Sequence, residues 1–394
     1  MKVKFNGRDF KKAIGTAKVI NKGAFFTNNI AFYAENNQLV ISAMRDDKQA
    51  VQAGLDAYIY EGGKFAVDIS SILEIYKFSD DTVYMENLEN KLILKSGNKK
   101  RAIPYMEITE EIDYKAKVIK NMENMEEIAR INESELLNAI NKTSTFAEKP
   151  ERINGDTPMS VFYFRLDKSR VDTCEGHMGC QCKLKFDFID KESCFCLPYV
   201  INADFKGFMN KKGNASIQIL ENKKYIAFYV FGKDSSKVIY VTRKIDDKLI
   251  PFNTESITGR YEEDNTFVAD SLELLSIVNE HKTSKKEFKP ITLKCKNNNL
   301  YIFGKNTHSI SCDKVEDFQM RDSYDWFIHL DPNLFADVLS VLDGKFTAYF
   351  RYGKGISNAN MMIFKNDTYT LILCPVSANE NTEKLMEEYD KLIS

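Results

Sequence analysis

Residues 326–352 read WFIHLDPNLFADVLSVLDGKFTAYFRY. Apolar residues alternate up to Leu330, as in a strand with one buried face. Asp331 is a good N-cap, and Pro332 is tolerated in the first helical turn. Leu334, Phe335, Val338, Leu339 and Leu342 then form a helical stripe. From Lys345 the alternation resumes. The same strand–helix–strand phrase occurs twice earlier, as CFCLPYVINADFKGFMNKKGNASIQIL from Cys194 and KFAVDISSILEIYKFSDDTVYME from Lys64. The helices are expected near Ile69, Tyr199 and Pro332, at spacings of 130 and 133 residues. In the first copy Asp68 caps a helix with Ile69, Ile72, Leu73 and Tyr76 on one face.

Two other units keep step with this phrase. An amphipathic helix leading into strands precedes each copy, in FNGRDFKKAIGTAKVI, NESELLNAINKTSTFA and ADSLELLSIVNEH. Asn132 and Glu135 have the spacing of a capping box. A hairpin follows each copy, in KLILKSGNKKRAIPYM, YIAFYVFGKDSSKVIYVTRKI and MMIFKNDTYTLILCPV. Gly97-Asn98, Gly232 to Ser235 and Asn366-Asp367 supply its turns. The reading is an α+β chain of three repeated domains, each with two helices on antiparallel sheets. Their expected bounds are 1–125, 126–258 and 259–378, with a C-terminal extension at 379–394.

The 394 residues exceed what one core usually organises, which agrees with several domains. No apolar run is long enough for a membrane helix, and MKVKFNGRDFKKAIG lacks the apolar core of a secretory signal. Eight cysteines in such a chain suggest free thiols in a reducing, cytoplasmic setting. A net charge of −2 permits a basic surface offset by acid elsewhere. Phosphate-loop, dinucleotide, zinc-protease and nucleophile-elbow motifs are absent from the sequence.

One stretch invites a metal reading. CEGHMGCQC at 174–182, with CFC at 194–196, holds ligand-type residues at short spacing. Yet Cys180/Cys182 and Cys194/Cys196 are C-x-C pairs in alternating strands, which puts each pair on one sheet face as small buried apolar groups. A metal-binding protein or hydrolase built on this cluster is the alternative class.

The three-fold repeat together with TCEGHMGC resembles the bacterial DNA sliding clamp, the β subunit of DNA polymerase III. In that family a T-D-G-H-R-L motif stands where this chain has Cys174, Glu175, Gly176, His177, Met178 and Gly179. NNIAFYAENNQLVISAMRDD and LILKSGNKKRAIPYM resemble its first strand pair and closing hairpin, and TLILCPV resembles its last strand. The resemblance covers residues 1–378 and implies the DNA-clamp fold: a ring-shaped homodimer of three-domain chains around duplex DNA. It implies a non-catalytic processivity factor, without cofactor, that serves DNA polymerase, the clamp loader and other clamp-binding-motif proteins in replication. A clamp-fold protein that no longer loads on DNA is a further alternative.

A sliding ring must hold DNA without reading bases, so its inner helices should present lysine and arginine to phosphates. The candidates are Arg8, Lys11, Lys12, Lys18, Lys22, Lys142, Lys149, Arg152, Lys206, Lys211, Lys212 and Lys282, with Lys285 and Lys286. The resemblance implies an apolar peptide pocket between the second and third domains. It would be lined by Gly176, His177, Met178, Pro251, Phe288, Leu334, Ile356, Leu373, Cys374, Pro375 and Val376. Gly176 is expected to need a glycine-only backbone conformation. Met178 stands in place of the family's arginine. Clamps of this family end at the last strand, but here SANENTEKLMEEYDKLIS follows. Leu385, Tyr389 and Leu392, with Met386 and Ile393, predict a short amphipathic helix that docks on its own chain and covers or extends the pocket.

Overall fold

The computed structural model describes residues 1–20, 29–71, 82–89, 91–150, 159–190, 193–210, 213–231, 237–245, 265–282, 289–305, 309–321, 325–351, 360–376 and 382–393. The first third of the chain runs β1 (Lys2–Phe5), α1 (Gly7–Ile20), β2 (Asn29–Glu35), β3 (Gln38–Arg45), β4 (Gln49–Glu61), β5 (Gly63–Asp68), β6 (Val83–Leu88), β7 (Lys91–Ser96), β8 (Lys99–Pro104) and α2 (Tyr114–Asn121). The middle runs β9 (Glu126–Asn132), α3 (Glu133–Thr143), β10 (Val161–Arg165), β11 (Arg170–Cys174), β12 (Met178–Lys183), β13 (Phe186–Ile189), β14 (Cys194–Pro198), α4 (Ile201–Phe208), β15 (Ser216–Glu221), β16 (Tyr225–Phe231) and β17 (Lys237–Arg243). The last third runs β18 (Asn265–Asp270), α5 (Ser271–Glu280), β19 (Ile291–Lys296), β20 (Asn299–Lys305), β21 (Ile310–Val315), β22 (Phe318–Met320), β23 (Trp326–Leu330), α6 (Pro332–Leu342), β24 (Lys345–Arg351), β25 (Asn360–Lys365), β26 (Tyr369–Leu373) and α7 (Thr382–Leu392).

Several helices start where short polar side chains can serve their first N–H groups, although α4, preceded by Val200, has no such cap. Asp331 accepts from Asn333 N at 2.8 Å, Asp270 from Leu272 N at 2.8 Å, and Asn132 from Ser134 N at 2.9 Å. The capping box expected at Asn132 is only half formed. Glu135 accepts instead from the backbone of Lys185, at 3.2 Å, because the connection between β12 and β13 passes close to the helix. Asp68 accepts from Ser70 N at 2.8 Å, while residues 72–81 lie outside those described. Of the hairpin turns, Gly97 sits at φ 53°, and Asn366 accepts from Thr368 N and Tyr369 N. Gly232 to Ser235 lie outside the described residues.

The repeat is visible in strand pairing. Phe32 is flanked by Ile41 and Phe65, Phe164 by Val171 and Phe195, and Leu293 by Ile302 and Ile328. All nine side chains are buried in one main core, on the same face as α1, α3, α4, α5 and α6. Successive strand residues point to opposite faces, so Ala31 and Tyr33 look outward, where Tyr114 and Val118 of α2 cover them.

The sheets run on from one repeat to the next. β4 pairs antiparallel with β17, and β12 pairs antiparallel with β26. The counterpart strands at the two ends are β21 and β8. Among the described strands β21 pairs only with β20, and β8 only with β7.

The C-terminal helix forms and docks on its own chain, but not on the groove. Met386 and Tyr389 are buried against Phe303, with Tyr389 stacked on that ring at 4.1 Å. Tyr301, Ile310, Cys312 and Phe327 complete the contact on the outer face of β20, β21 and β23. Leu392, expected in the apolar stripe, is exposed, because Ile393 lies nearer the sheet.

Candidate functional site

The helices contact one another both within a repeat and, for α1 and α4, between repeats. α1 lies on α4, α4 on α3, and α5 on α6. The first contact is close: a Cβ on Gly207 would come within 2.0 Å of Val19 Cγ2. Behind it the buried Arg45 guanidinium grips the buried Asp204 carboxylate in two-pronged fashion, at 3.1 and 3.0 Å. Arg45 Nε also donates to Ile20 O at 2.7 Å, and Tyr240 OH donates to Asp204 at 2.8 Å. Burial pushes the Asp204 carboxyl upward, against the pull of Arg45 and Tyr240. Sequence reading missed this pair. Its one signal is an arginine ending the apolar run LVISAMR.

Arg8, Lys11 and Lys12 are exposed on one face of α1, with Lys18 half-buried a turn and a half further on. Lys206 is exposed on the neighbouring α4. These five are the cations that α1 and α4 carry on their accessible sides. Lys149 and Lys282 are exposed beyond helix ends, and both act on the half-buried Asp337 carboxylate of α6. Lys142 departs from its expected role. Its Nζ donates to Val341 O at 3.3 Å and lies 5.4 Å from the Tyr369 ring, so it ties α3 to the third repeat instead of facing outward with the others. Lys22, Arg152, Lys211, Lys212, Lys285 and Lys286 lie outside the described residues. Neither α5 nor α6 contains lysine or arginine, so the cations of these helices are concentrated on α1 and α4.

The β12–β26 seam brings the C-terminal strand beside the CEGHMGC turn. Met178 is opposite Leu373, and Cys374 N donates to His177 O at 2.9 Å. Val376 N donates to His329 O at 2.9 Å, which carries the strand on past β23. Met178 and Leu373 are buried as a floor, while Cys374, Pro375, Val376 and Leu334 are half-exposed and His177 is exposed. Pro251, Phe288 and Ile356 lie outside the described residues. The expectation for Gly176 does not hold. Its φ is not in the left-handed region, and a Cβ there would meet nothing within 4 Å. The tight turn is closed by Glu175 N donating to Met178 O at 2.8 Å.

The cysteines do not converge. Cys180 and Cys182 are buried on one face of β12, and Cys194 Sγ donates to Asp167 at 3.1 Å. Burial pushes the thiols of Cys174 and Cys182 up to about 11 and about 12. Thiols raised in this way are neither nucleophiles nor ready metal ligands at neutral pH. Among the described residues no three His, Cys, Asp or Glu side chains are grouped as metal ligands, and no helix is long and apolar enough to cross a membrane.

No family model and no curated protein matches the sequence. Solved structures match the fold. The DNA polymerase sliding clamp of Bacillus subtilis superimposes with a TM-score of 0.79 at 13% identity, over 96% of this chain and 100% of its own. The DNA polymerase III subunit beta of Pseudomonas aeruginosa gives 0.76 at 14% identity, over 95% and 100%. The DNA polymerase beta subunit of Streptococcus pyogenes gives 0.76 at 12% identity, over 96% and 100%. The chain has the sliding-clamp fold.

Proposed function

We propose that this chain is a DNA sliding clamp: a non-catalytic ring that holds duplex DNA and tethers a replicative polymerase and other partners in the cytoplasm. The observation that carries the reading is the pair of open strand edges. β4–β17 and β12–β26 join neighbouring repeats by the same pairing, and β21 and β8 are the two ends left over. A second copy, placed head to tail, satisfies both ends at once, so that neither of these two edges is left open to aggregation. The repeats serve as domains 1–125, 126–258 and 259–378, with 379–394 as an extension.

In this ring the helix layer faces the hole. Arg8, Lys11, Lys12, Lys18 and Lys206 are the DNA contacts we favour, with Lys149 and Lys282 at the rim. They attract phosphates without reading bases, which suits a protein that slides. The groove over Met178 and Leu373 takes a short apolar peptide beside the strand that runs through Pro375 and Val376. With Met178 in place of arginine, it favours apolar over acidic peptide contacts.

The test combines mass and topology. The purified chain should sediment as a dimer, and after loading it should be retained on circular DNA but lost from linear DNA. A chain that stays monomeric at micromolar concentration, or that is retained equally on both DNAs, overturns the reading.

A further inference from the structure

We infer that α7 is an outer brace of the ring's closing seam and grips the β7–β8 face of a second copy of this chain, an inference that rests on the ring reading above. The pattern for it lies inside the chain. α2 straddles the outer face of the β4–β17 seam, where Tyr114 and Val118 are buried against Tyr33, Met44 and Ala50 on one side and against Ala227 and Val241 on the other. α7 holds the matching place on the third repeat. Ile310 stands on β21 where Ala50 stands on β4, and Tyr301 stands on β20 where Val40 stands on β3. α2 thus has sheet beneath it on both sides of a seam, whereas α7, among the described residues, has it on one side only.

The missing half is the outer face of β7 and β8. Ile93 and Ala102, which pair across these strands, stand where Ala227 and Val241 stand in the β4–β17 seam. Ala102 is exposed and Ile93 half-exposed, and the next outward-facing pair is the exposed Lys95 and Lys100. The flank of α7 offers an apolar match to Ile93 and Ala102. Asp390 pairs with Lys294 and Lys296 of β19 at 2.9 and 2.6 Å. Glu388 lies about 160° further round the helix and pairs with Lys305 at the end of β20. Leu392 shares the Glu388 flank, on the β21 side, and is 52% exposed. A flank with the exposed Leu392, beside the paired Glu388 and with Lys384 and Lys391 further round, therefore borders the open edge, and Leu392 is the apolar group that Ile93 and Ala102 of the β7–β8 face would meet.

The dimer dissociation constants of the full chain, of Leu392→Asp and of a chain ending at Ala378 provide the test, with sedimentation as the readout. Leu392→Asp should raise the constant about tenfold or more with no change in the melting temperature of the dissociated chain, and the truncation should raise it further. A chain carrying Leu392→Cys and Ala102→Cys should form a reducible dimer-sized cross-link on mild oxidation. If the full chain dimerises and Leu392→Asp does so equally well, the brace is overturned while the ring stands. If the full chain never dimerises, the ring reading fails, and the brace with it. Should the truncated chain fail to fold, Leu392→Asp alone decides.

Discussion

Arg45 and Asp204 are 159 positions apart in the chain and fully buried against each other. A buried ion pair is not by itself a strong stabiliser, but removing one partner strands the other charge in a low dielectric. Arg45→Met should destabilise the first two repeats by about 3–5 kcal/mol, read as a lower denaturant midpoint. Arg45→Met with Asp204→Leu should recover most of that loss. If the double variant is as unstable as the single, the pair is not what joins α1 to α4. His329 makes a second residue-level case. It is buried, its Nδ1 lies 2.8 Å from Thr292 Oγ1, and its Nε2 has no hydrogen-bond partner among the described residues. Burial holds the imidazole below its ordinary 6.5. The folded chain then binds fewer protons than the unfolded one, so the contribution is full above 6.5 and is lost as pH falls through the lower folded value. The melting temperature should fall from pH 7 to pH 5, and less steeply in His329→Gln; parallel slopes would refute the assignment. Neither pairing was legible in the sequence, because a buried polar contact depends on which distant strand arrives. The caps at Asp331, Asn132 and Asp68 were legible because each is satisfied within three residues.

Elements carry the DNA reading. α1 and α4 meet through Gly207 and Val19, and Arg8, Lys11, Lys12 and Lys206 are exposed on these two helices. Gly207→Val should force the helices apart, lowering both stability and DNA retention. Charge reversal at Lys11, Lys12 and Lys206 should lower retention alone. The salt dependence of binding should flatten by about 0.9 per lost phosphate contact, so a triple reversal that leaves the slope unchanged would place the DNA elsewhere. Reversing Lys142 should act differently, through loss of its tie to Val341 and Tyr369, and should show as lower stability. The sequence could mark these lysines as helical, but which face a lysine takes depends on the neighbouring repeat. The same limit applied to α7. Its stripe announced an amphipathic helix, but the surface it covers is set by Phe303, Tyr301 and Phe327, which only the folded sheet brings together.

At the scale of the whole molecule, the internal repeat predicts the register in which two copies meet. Ile41, Val171 and Ile302 are equivalent core positions, and they face Ala53, Cys182 and Asp313. Across the two internal seams Ala53 is opposite Val238 and Cys182 is opposite Tyr369. Val238 and Tyr369 each lie two residues before a residue, Tyr240 or Leu371, that faces a core phenylalanine of the adjacent strand, Phe228 or Phe364. In β8 the matching residue is Arg101, opposite Leu94, so the counterpart of Val238 and Tyr369 is Lys99. The closing seam should therefore set Asp313 of one copy against Lys99 of the other. Rim pairs of this kind are worth about 0.2–1 kcal/mol. Asp313→Lys should thus weaken dimerisation a few-fold, and Lys99→Glu should do the same. Combining the two in one chain should restore the affinity, since each seam then regains a pair of opposite sign. The restoration should fade at high salt, where exposed pairs are screened. If the double variant is weaker than either single one, the register is shifted, and a shift of even one residue would turn the outward face of β8 inward.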